Sequence, residues 1–353
     1  MVTGNKIICG DALQVLKTIP DEQFRCCVTS PPYFNLRDYG VNGQIGLEST
    51  MQEYIEKLVA VFKEVNRVLR KDGTLWLNMA DSYAGSGKGA ANYPKNALLY
   101  KQGTNKGMLG SLAVTKVKYE LAPKNLMGIP WRLAFALQDD GWILRQDIIW
   151  NKTNCMPESV QDRCTKSHEY IFLLSKSARY FFAGDAIKEP IVGSTEVRLL
   201  QDIEHQRGSA RAHGVQKNMK AVGGSKGAFG RSQSRRRGSG NKERKEHPSV
   251  GISQGNLAGS IPFEYETGYR NKRDVWSMPT SSCSKGHYAT FPDELAQNCI
   301  LAGSQENDWV LDPFSGSGTT CRVANKYGRN YIGIDINRKY CAIANEGIPL
   351  RLF

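Results

Sequence analysis

The chain has 353 residues, 40% of them hydrophobic, with a formal net charge of +13 and an isoelectric point near 9.3. That is enough apolar content for one large α/β domain with an insertion, or for two domains, and the basic excess points to a polyanionic partner, a merely soluble basic surface being the plain alternative. No apolar run is long enough to span a membrane, the opening MVTGNKIICGDAL lacks the core of a signal peptide, and nine cysteines, odd in number and without a Cys-x-x-Cys pair, speak against a disulfide framework or a zinc site; a cytoplasmic protein with reduced thiols and no metal is expected.

In chain order, KIICG and FRCCVTS read as short strands closed by turn residues, with DALQVLKTIP a short helix between them. MQEYIEKLVAVFKEVNRVLRKDG is a long amphipathic helix: Tyr54, Ile55, Leu58, Val61, Phe62, Val65, Val68 and Leu69 follow helical spacing, and Asp72-Gly73 is expected to end it. TLWLNMA then reads as a buried strand. A helix starts near Pro130, followed by strands ILRQDIIW and HEYIFLLSK. After a long interruption come a helix entered through Pro292, the strand DWVLDPF, the helix TTCRVANKYG and the strand NYIGIDIN. This alternation argues for a doubly wound, mainly parallel sheet.

Two stretches break the rhythm. Residues 84–124 carry seven lysines against one acid among glycines and tyrosines, which reads as a long mobile loop. Residues 195–250 hold thirteen basic and five acidic residues, including GRSQSRRRGSGNKERK, and cannot bury a core alone. They suit either a disordered linker or a nucleic-acid contact.

Two motifs carry chemistry. In VLDPFSGSGTT an apolar strand ends at Asp312, and a small-residue turn with Gly316 and Gly318 leads into a helix near Thr319. Free amides at that helix start suit a nucleotide-like ligand, and Asp335 ends the next strand, where an acid can hold ribose hydroxyls. A purely structural turn is the alternative. GSGKG at 85–89 imitates a phosphate-binding loop but has Ser82 where the first glycine belongs and Gly89 where a hydroxyl belongs. In TSPPY, at 29–33, two prolines stop a strand and stiffen the chain just after the Ser30 hydroxyl and just before the Tyr33 ring. A hydroxyl beside a rigid carbonyl is a pair of acceptors for an amino group; a plain strand terminator accounts for the prolines but not for their neighbours.

Together TSPPY, DPFSGSGTT in that order, and a variable basic region between them resemble the DNA amino-methyltransferases, in particular the permuted group whose catalytic motif precedes its cofactor motif. GDAL at 10–13, DGTLWLNMAD at 72–81, DIIWNKTN at 147–154, RCTKSHEYIFLLSK at 163–176 and GHYATFPDEL at 286–295 are weaker supporting matches. The resemblance implies a seven-stranded, Rossmann-like, S-adenosylmethionine-dependent methyltransferase sheet. Its catalytic segment would be 1–184, its target-recognition region 185–270 and its cofactor-binding segment 271–353. It also implies that Ser30 and the Pro31 carbonyl grip the amino group of a flipped base, with Pro32 holding the turn and Tyr33 stacking on the base. Asp312, Phe314, Gly316 and Gly318 would surround the cofactor's methionine moiety, and Ser315, Ser317 and Thr319 of the same turn would also bind the cofactor. Asp335, where the family usually has Glu, would hold its ribose, Asp11 its adenine amino group, and Phe291 with Pro292 would close the pocket.

The resemblance further implies double-stranded DNA as partner, with Lys88, Lys95, Lys101, Arg231, Arg235, Arg236 and Arg237 as candidate contacts. Ser before Pro-Pro-Tyr leans towards cytosine N4 over adenine N6, and the absence of a Pro-Cys dipeptide argues against carbon-5 methylation. A non-catalytic DNA-binding scaffold and a protein- or RNA-directed enzyme are the rival classes. A homodimer and a companion restriction endonuclease, in a prokaryotic or phage-encoded setting, are left open.

Overall fold

The computed structural model describes residues 4–84, 121–191, 269–281 and 291–349. They fall into two compact units, one of Met1–Ile187 with Lys272–Phe353 and one of Lys188–Asn271. In the second, Glu189–Pro190 (β6) pairs antiparallel with Tyr269–Arg270 (β7), and Arg270 Nε donates to Glu189 Oε1 at 2.8 Å.

The first unit holds an eight-stranded sheet. Its strands are β1 (Lys6–Cys9), β2 (Phe24–Thr29), β3 (Leu69–Met79), β4 (Ile143–Lys152), β5 (His168–Ser175), β8 (Val275–Met278), β9 (Trp309–Asp312) and β10 (Asn330–Asp335), in the order β1-β10-β9-β2-β3-β5-β4-β8. All neighbours are parallel except β3–β5 and β5–β4, so the doubly wound, mainly parallel expectation holds. The count is one more than the seven expected. β8 adds in parallel to the edge of β4, turning Trp276 and Met278 inward. Four residues inside the polar stretch NKRDVWSMPTSS are too short a period to announce a strand.

Helices α1 (Ala12–Lys17), α2 (Met51–Val68) and α3 (Ile129–Asp139) cover one face of the sheet. The second core, on the other face, takes in α4 (Asp293–Gly303) and α5 (Thr319–Lys326), while α6 (Arg338–Gly347) packs on β1, β10 and α5. α2 shows why these segments are helical. Seven of its buried residues lie at helical spacing, Thr50 Oγ1 accepts from the Glu53 amide at 3.1 Å, and the Glu53 carboxylate returns to the Ser49 amide. It ends at Val68, not at Asp72-Gly73. Leu69 is already extended (φ −72°, ψ 144°) and pairs with Phe24, while Asp72 is drawn off to Arg25 at 2.7 Å. Sheet pairing overrides the local stop signal.

The parallel strands β10, β9 and β2 lie side by side with their carboxyl ends together, Gly333 beside Asp312 and Leu311 beside Cys27. That is where open α/β sheets bind ligands. Gly333 keeps the rim close-packed: a Cβ there would lie 2.6 Å from Ile7 Cδ1, 2.8 Å from Cys321 Sγ and 3.0 Å from Ser315 Cβ. Gly333→Ala is therefore expected to lower unfolding stability by about 1–3 kcal/mol in a denaturant titration; an unchanged midpoint would mean that the rim has slack.

Candidate active site

Three acids arrive at the sheet's carboxyl edge by different routes. Asp312 ends β9 and is 2% exposed; Thr29 Oγ1 donates to its Oδ1 at 2.7 Å and the Phe314 amide at 3.1 Å. Burial outweighs those bonds and pushes its carboxyl up to about 6. Asp335 ends β10 and accepts from the Gly316 amide at 2.9 Å and the Asn337 amide at 2.7 Å, yet burial raises it too. Asp11 caps α1, accepting from the Gln14 amide at 2.9 Å. The turn between β9 and α5 needs glycine at Gly316 (φ 51°) and at Gly318 (φ 81°). At the second a Cβ would also sit 2.8 Å from Ala344 Cβ. Gly318 provides no side-chain cap, so the first-turn amides of α5 are left uncapped by side chains of the described residues.

The Ser-Pro-Pro-Tyr turn leaves β2 beside this edge and is held from behind. Tyr54 of α2 donates to the Pro32 carbonyl at 2.8 Å, whereas the Pro31 carbonyl accepts no hydrogen bond from the described residues. Gly46 (φ 105°) comes so close that a Cβ would lie 3.1 Å from the Tyr33 carbonyl, and its own carbonyl accepts from the Asn35 amide at 2.6 Å. The Tyr33 hydroxyl donates to Glu169 Oε2 at 2.7 Å and lies 3.2 Å from Ser30 Oγ. Burial, and then the Glu169 charge, hold the phenol well above its usual range, so it stays protonated. Asn78 Nδ2 donates to Glu169 Oε2 at 2.8 Å and to the Tyr33 hydroxyl at 3.1 Å, and Lys152 pairs with the other Glu169 oxygen.

Both motifs line one cleft, partly open to solvent. Of the residues expected from the sequence, Ser30, Pro31, Pro32 and Tyr33 are on its wall, as are Asp11 and Phe291. So are Asp312, Phe314, Ser315, Gly316, Thr319 and Asp335. Ser317, Gly318 and Pro292 are not: Ser317 is buried in the turn, Gly318 packs on α6, and Pro292 is the N-cap of α4. The basic candidates Lys88, Lys95, Lys101, Arg231, Arg235, Arg236 and Arg237 lie outside the described residues.

Sequence reasoning missed several residues of the wall. Leu36, Arg37, Tyr39, Gln44 and Ile45 reach it from the loop after Tyr33, and Ile336, Asn337 and Tyr340 from the end of β10 and α6. Tyr39 meets Tyr340 edge-on with ring centroids 6.0 Å apart, and burial pushes its phenol up to about 12. The run YFNLRDYG, aromatic just after the double proline, was the available signal. Glu169, Asn78 and Lys152 were also missed as site residues, since each sits in a strand that reads as core.

The lining fits S-adenosylmethionine. Acceptors from Asp312 and Asp335 suit its cationic amino acid and its ribose diol, and Phe291 and Ile336 offer apolar surface to a flat base. Ser315 Oγ is buried without a hydrogen-bond partner among the described residues, which leaves a spare donor and acceptor in the cleft wall. Among the described residues no helix is long and apolar enough to cross a membrane, and no cluster of acids, histidines and cysteines could hold a metal.

Residues 24–346 match the DNA methylase family of N6/N4 methyltransferases. The chain is 38% identical over 344 residues to the type II methyltransferase M.Cfr9I of Citrobacter freundii, spanning 97% of this chain and 87% of that one. To M.SmaI of Serratia marcescens it is 39% identical over 346 residues, spanning 98% and 91%. Among solved structures, the PvuII DNA methyltransferase (cytosine-N4-specific) aligns with a TM-score of 0.58 at 15% identity, covering 100% of this chain and 89% of that one. A Thermus thermophilus protein complexed with S-adenosyl-L-methionine aligns with a TM-score of 0.51 at 20% identity, covering 98% and 95%. These two likenesses establish the fold. The sequence matches span nearly the whole chain, and with them the chain belongs to the N6/N4 DNA methylase family: it is an S-adenosylmethionine-dependent DNA methyltransferase.

Proposed function

We propose that this methyltransferase acts on the N4 amino group of a cytosine flipped out of duplex DNA, by direct in-line attack without a covalent enzyme intermediate. The observation that carries the reading is the pair of acceptors offered on the cleft wall by Ser30 and Pro31, the hydroxyl of one and the carbonyl of the other, backed by a Tyr33 ring whose hydroxyl is pinned to Glu169. An exocyclic amino nitrogen is a weak nucleophile because its lone pair is delocalised into the ring. Two acceptors drawing on its protons favour a more pyramidal nitrogen and a localised lone pair, and the site contributes orientation and electrostatics. When bound, S-adenosylmethionine would supply a methyl group on a sulfonium, whose S–C bond would break as the N–C bond forms, and the methylated nitrogen would then lose one of its protons to solvent. Asp312, Phe314, Ser315, Gly316 and Thr319 would hold its methionine moiety, Asp335 its ribose, and Asp11 and Phe291 its base.

Two further points support the amino-group route. No cysteine is among the described residues lining the cleft, and burial raises the thiols of Cys26, Cys27, Cys299 and Cys321, which disfavours the thiolate a covalent route needs. Ser before Pro-Pro-Tyr favours cytosine over adenine. Residues 185–270, between the catalytic segment (residues 1–184) and the cofactor-binding segment (residues 271–353), would read the target sequence. A companion restriction endonuclease, a cytoplasmic setting and a homodimer belong to the same reading.

Product analysis tests it. Unmethylated DNA is incubated with the protein and methyl-labelled S-adenosylmethionine, digested to nucleosides and examined by mass spectrometry. N4-methylcytosine is expected. N6-methyladenine would overturn the base assignment, and unlabelled DNA would overturn the enzyme reading altogether.

A further inference from the structure

Ser30 can grip a substrate amino group only if its own hydroxyl proton points elsewhere, because an amino group and a hydroxyl facing each other with protons repel. What determines where that proton goes lies on β5. Glu169 enters the site from the second position of that strand, in register with Trp150 of β4, and is 7% exposed. Its carboxylate can only accept. Lys152 pairs with Oε1, so the buried charge is not isolated. Oε2 takes the Tyr33 hydroxyl at 2.7 Å and Asn78 Nδ2 at 2.8 Å.

The proton accounting then runs one way. The Tyr33 hydroxyl has one proton, which Glu169 takes, so the Tyr33 oxygen can only accept from its remaining neighbours. These are Asn78 Nδ2 at 3.1 Å and Ser30 Oγ at 3.2 Å. Asn78 cannot reverse the chain. Its Oδ1 is buried without a hydrogen bond from the described residues, so among them the inward orientation of Nδ2 is dictated by the carboxylate and not by a partner for the oxygen. Ser30 is left donating to Tyr33; Asn78 Nδ2 lies 3.5 Å from its Oγ on the acceptor side, and its remaining lone pair is the one left for a substrate.

We propose that Glu169 is a positioning residue which, through Tyr33, fixes the Ser30 hydroxyl as an obligate acceptor for the substrate amino group. Glu169 touches no reacting atom; it sets the direction of a hydrogen-bond chain whose last member does. Remove the carboxylate and the chain can turn round: an amide at 169 donates to Tyr33, Tyr33 donates to Ser30, and the Ser30 proton faces the amino group it should accept from. This inference rests on the reading of Ser30 as a substrate contact, but not on which base carries the amino group.

The test is a double-mutant cycle on the full chain with wild type, Glu169→Gln, Tyr33→Phe and the double variant. Single-turnover methyl transfer is measured at saturating S-adenosylmethionine, cofactor affinity by calorimetry, and the methylated nucleoside by mass spectrometry. Glu169→Gln and Tyr33→Phe should each slow transfer roughly 100-fold, with cofactor affinity within about 2-fold of wild type. The double variant should be no slower than the slower single one, because both changes break the same chain. Losses that multiply, or a Glu169→Gln enzyme with wild-type transfer, would overturn the relay. Should Glu169→Gln fail to fold, Tyr33→Phe decides alone: it keeps the ring and leaves Glu169 with Lys152 and Asn78, and wild-type transfer in it would overturn the relay equally. Adenine as the labelled base would reject the cytosine assignment while leaving the cycle readable, and multiplying losses with N4-methylcytosine as product would reject the relay alone.

Discussion

Tyr33→Ala is expected to abolish most methyl transfer while leaving cofactor binding nearly intact. Two losses combine. If the ring stacks on the target base as proposed, its removal costs about 1–3 kcal/mol, and loss of the hydroxyl proposed to orient Ser30 should cost roughly another 100-fold, so the transfer rate should fall on the order of 10³-fold or more. The structure adds a consequence that the Ser-Pro-Pro-Tyr motif does not suggest. The Tyr33 hydroxyl satisfies Glu169 Oε2, and the alanine variant leaves that buried oxygen with Asn78 alone. Unfolding stability should therefore drop by about 3 kcal/mol, and Tyr33→Phe, which keeps the ring, should lose less. Rapid-quench assays and denaturant titrations read the two effects separately. A large fall in S-adenosylmethionine affinity in Tyr33→Ala would contradict the division of the cleft into a base side and a cofactor side.

What the sequence discloses, and what it hides, follows from how far apart the cooperating residues lie. TSPPY and DPFSGSGTT each compress their chemistry into one turn, where prolines and glycines have no helical or strand explanation. They could be read directly, and they do meet at adjacent strand ends, Thr29 bonded to Asp312. Asp335 was legible for a related reason: it follows an apolar strand by one βα unit. Glu169, Asn78 and Lys152 were not, because one polar residue at the end of HEYIFLLS, LRKDGTLWLNM or ILRQDIIWNK looks like ordinary strand termination. Their common destination is created by the pairing β3-β5-β4, which brings Met79 opposite Tyr170 and Tyr170 opposite Ile149. No local pattern contains that antiparallel hairpin. The same reason explains the end of α2 and the extra strand β8, both decided by a neighbouring strand. Asp335 shows a subtler limit. With both oxygens already accepting from the Gly316 and Asn337 amides, it shapes the turn as well as offering remaining lone pairs to a diol.

Asp312 carries the second large effect, and its sign is fixed by burial. Its carboxyl titrates at about 6 against 3.8 for the free side chain, because desolvation outweighs the Thr29, Thr320 and Phe314 bonds and the Asp335 charge adds to it. The native state therefore holds a proton that the unfolded chain has released between those values. Stability from this group is full below about 3.8 and is lost as pH rises through about 6, by up to roughly 3 kcal/mol. With the cofactor placed as proposed, a cationic ligand reverses the preference: the methionine end of S-adenosylmethionine would favour the ionised carboxylate. Cofactor affinity should then be flat above about pH 7 and weaken by about tenfold per unit below about 6, with uptake of the cofactor releasing a proton in that range. Asp312→Asn should bind the cofactor at least roughly 100-fold more weakly at neutral pH and should lose the pH dependence, while its unfolding midpoint at about pH 7.5 stays level or rises. Calorimetry in two buffers of different ionisation enthalpy, repeated from about pH 5 to 8, measures both the affinity and the proton. A wild-type profile that stays flat through about pH 6, or an asparagine variant that binds normally, would remove Asp312 from the cofactor site and leave it a buried anchor for Thr29.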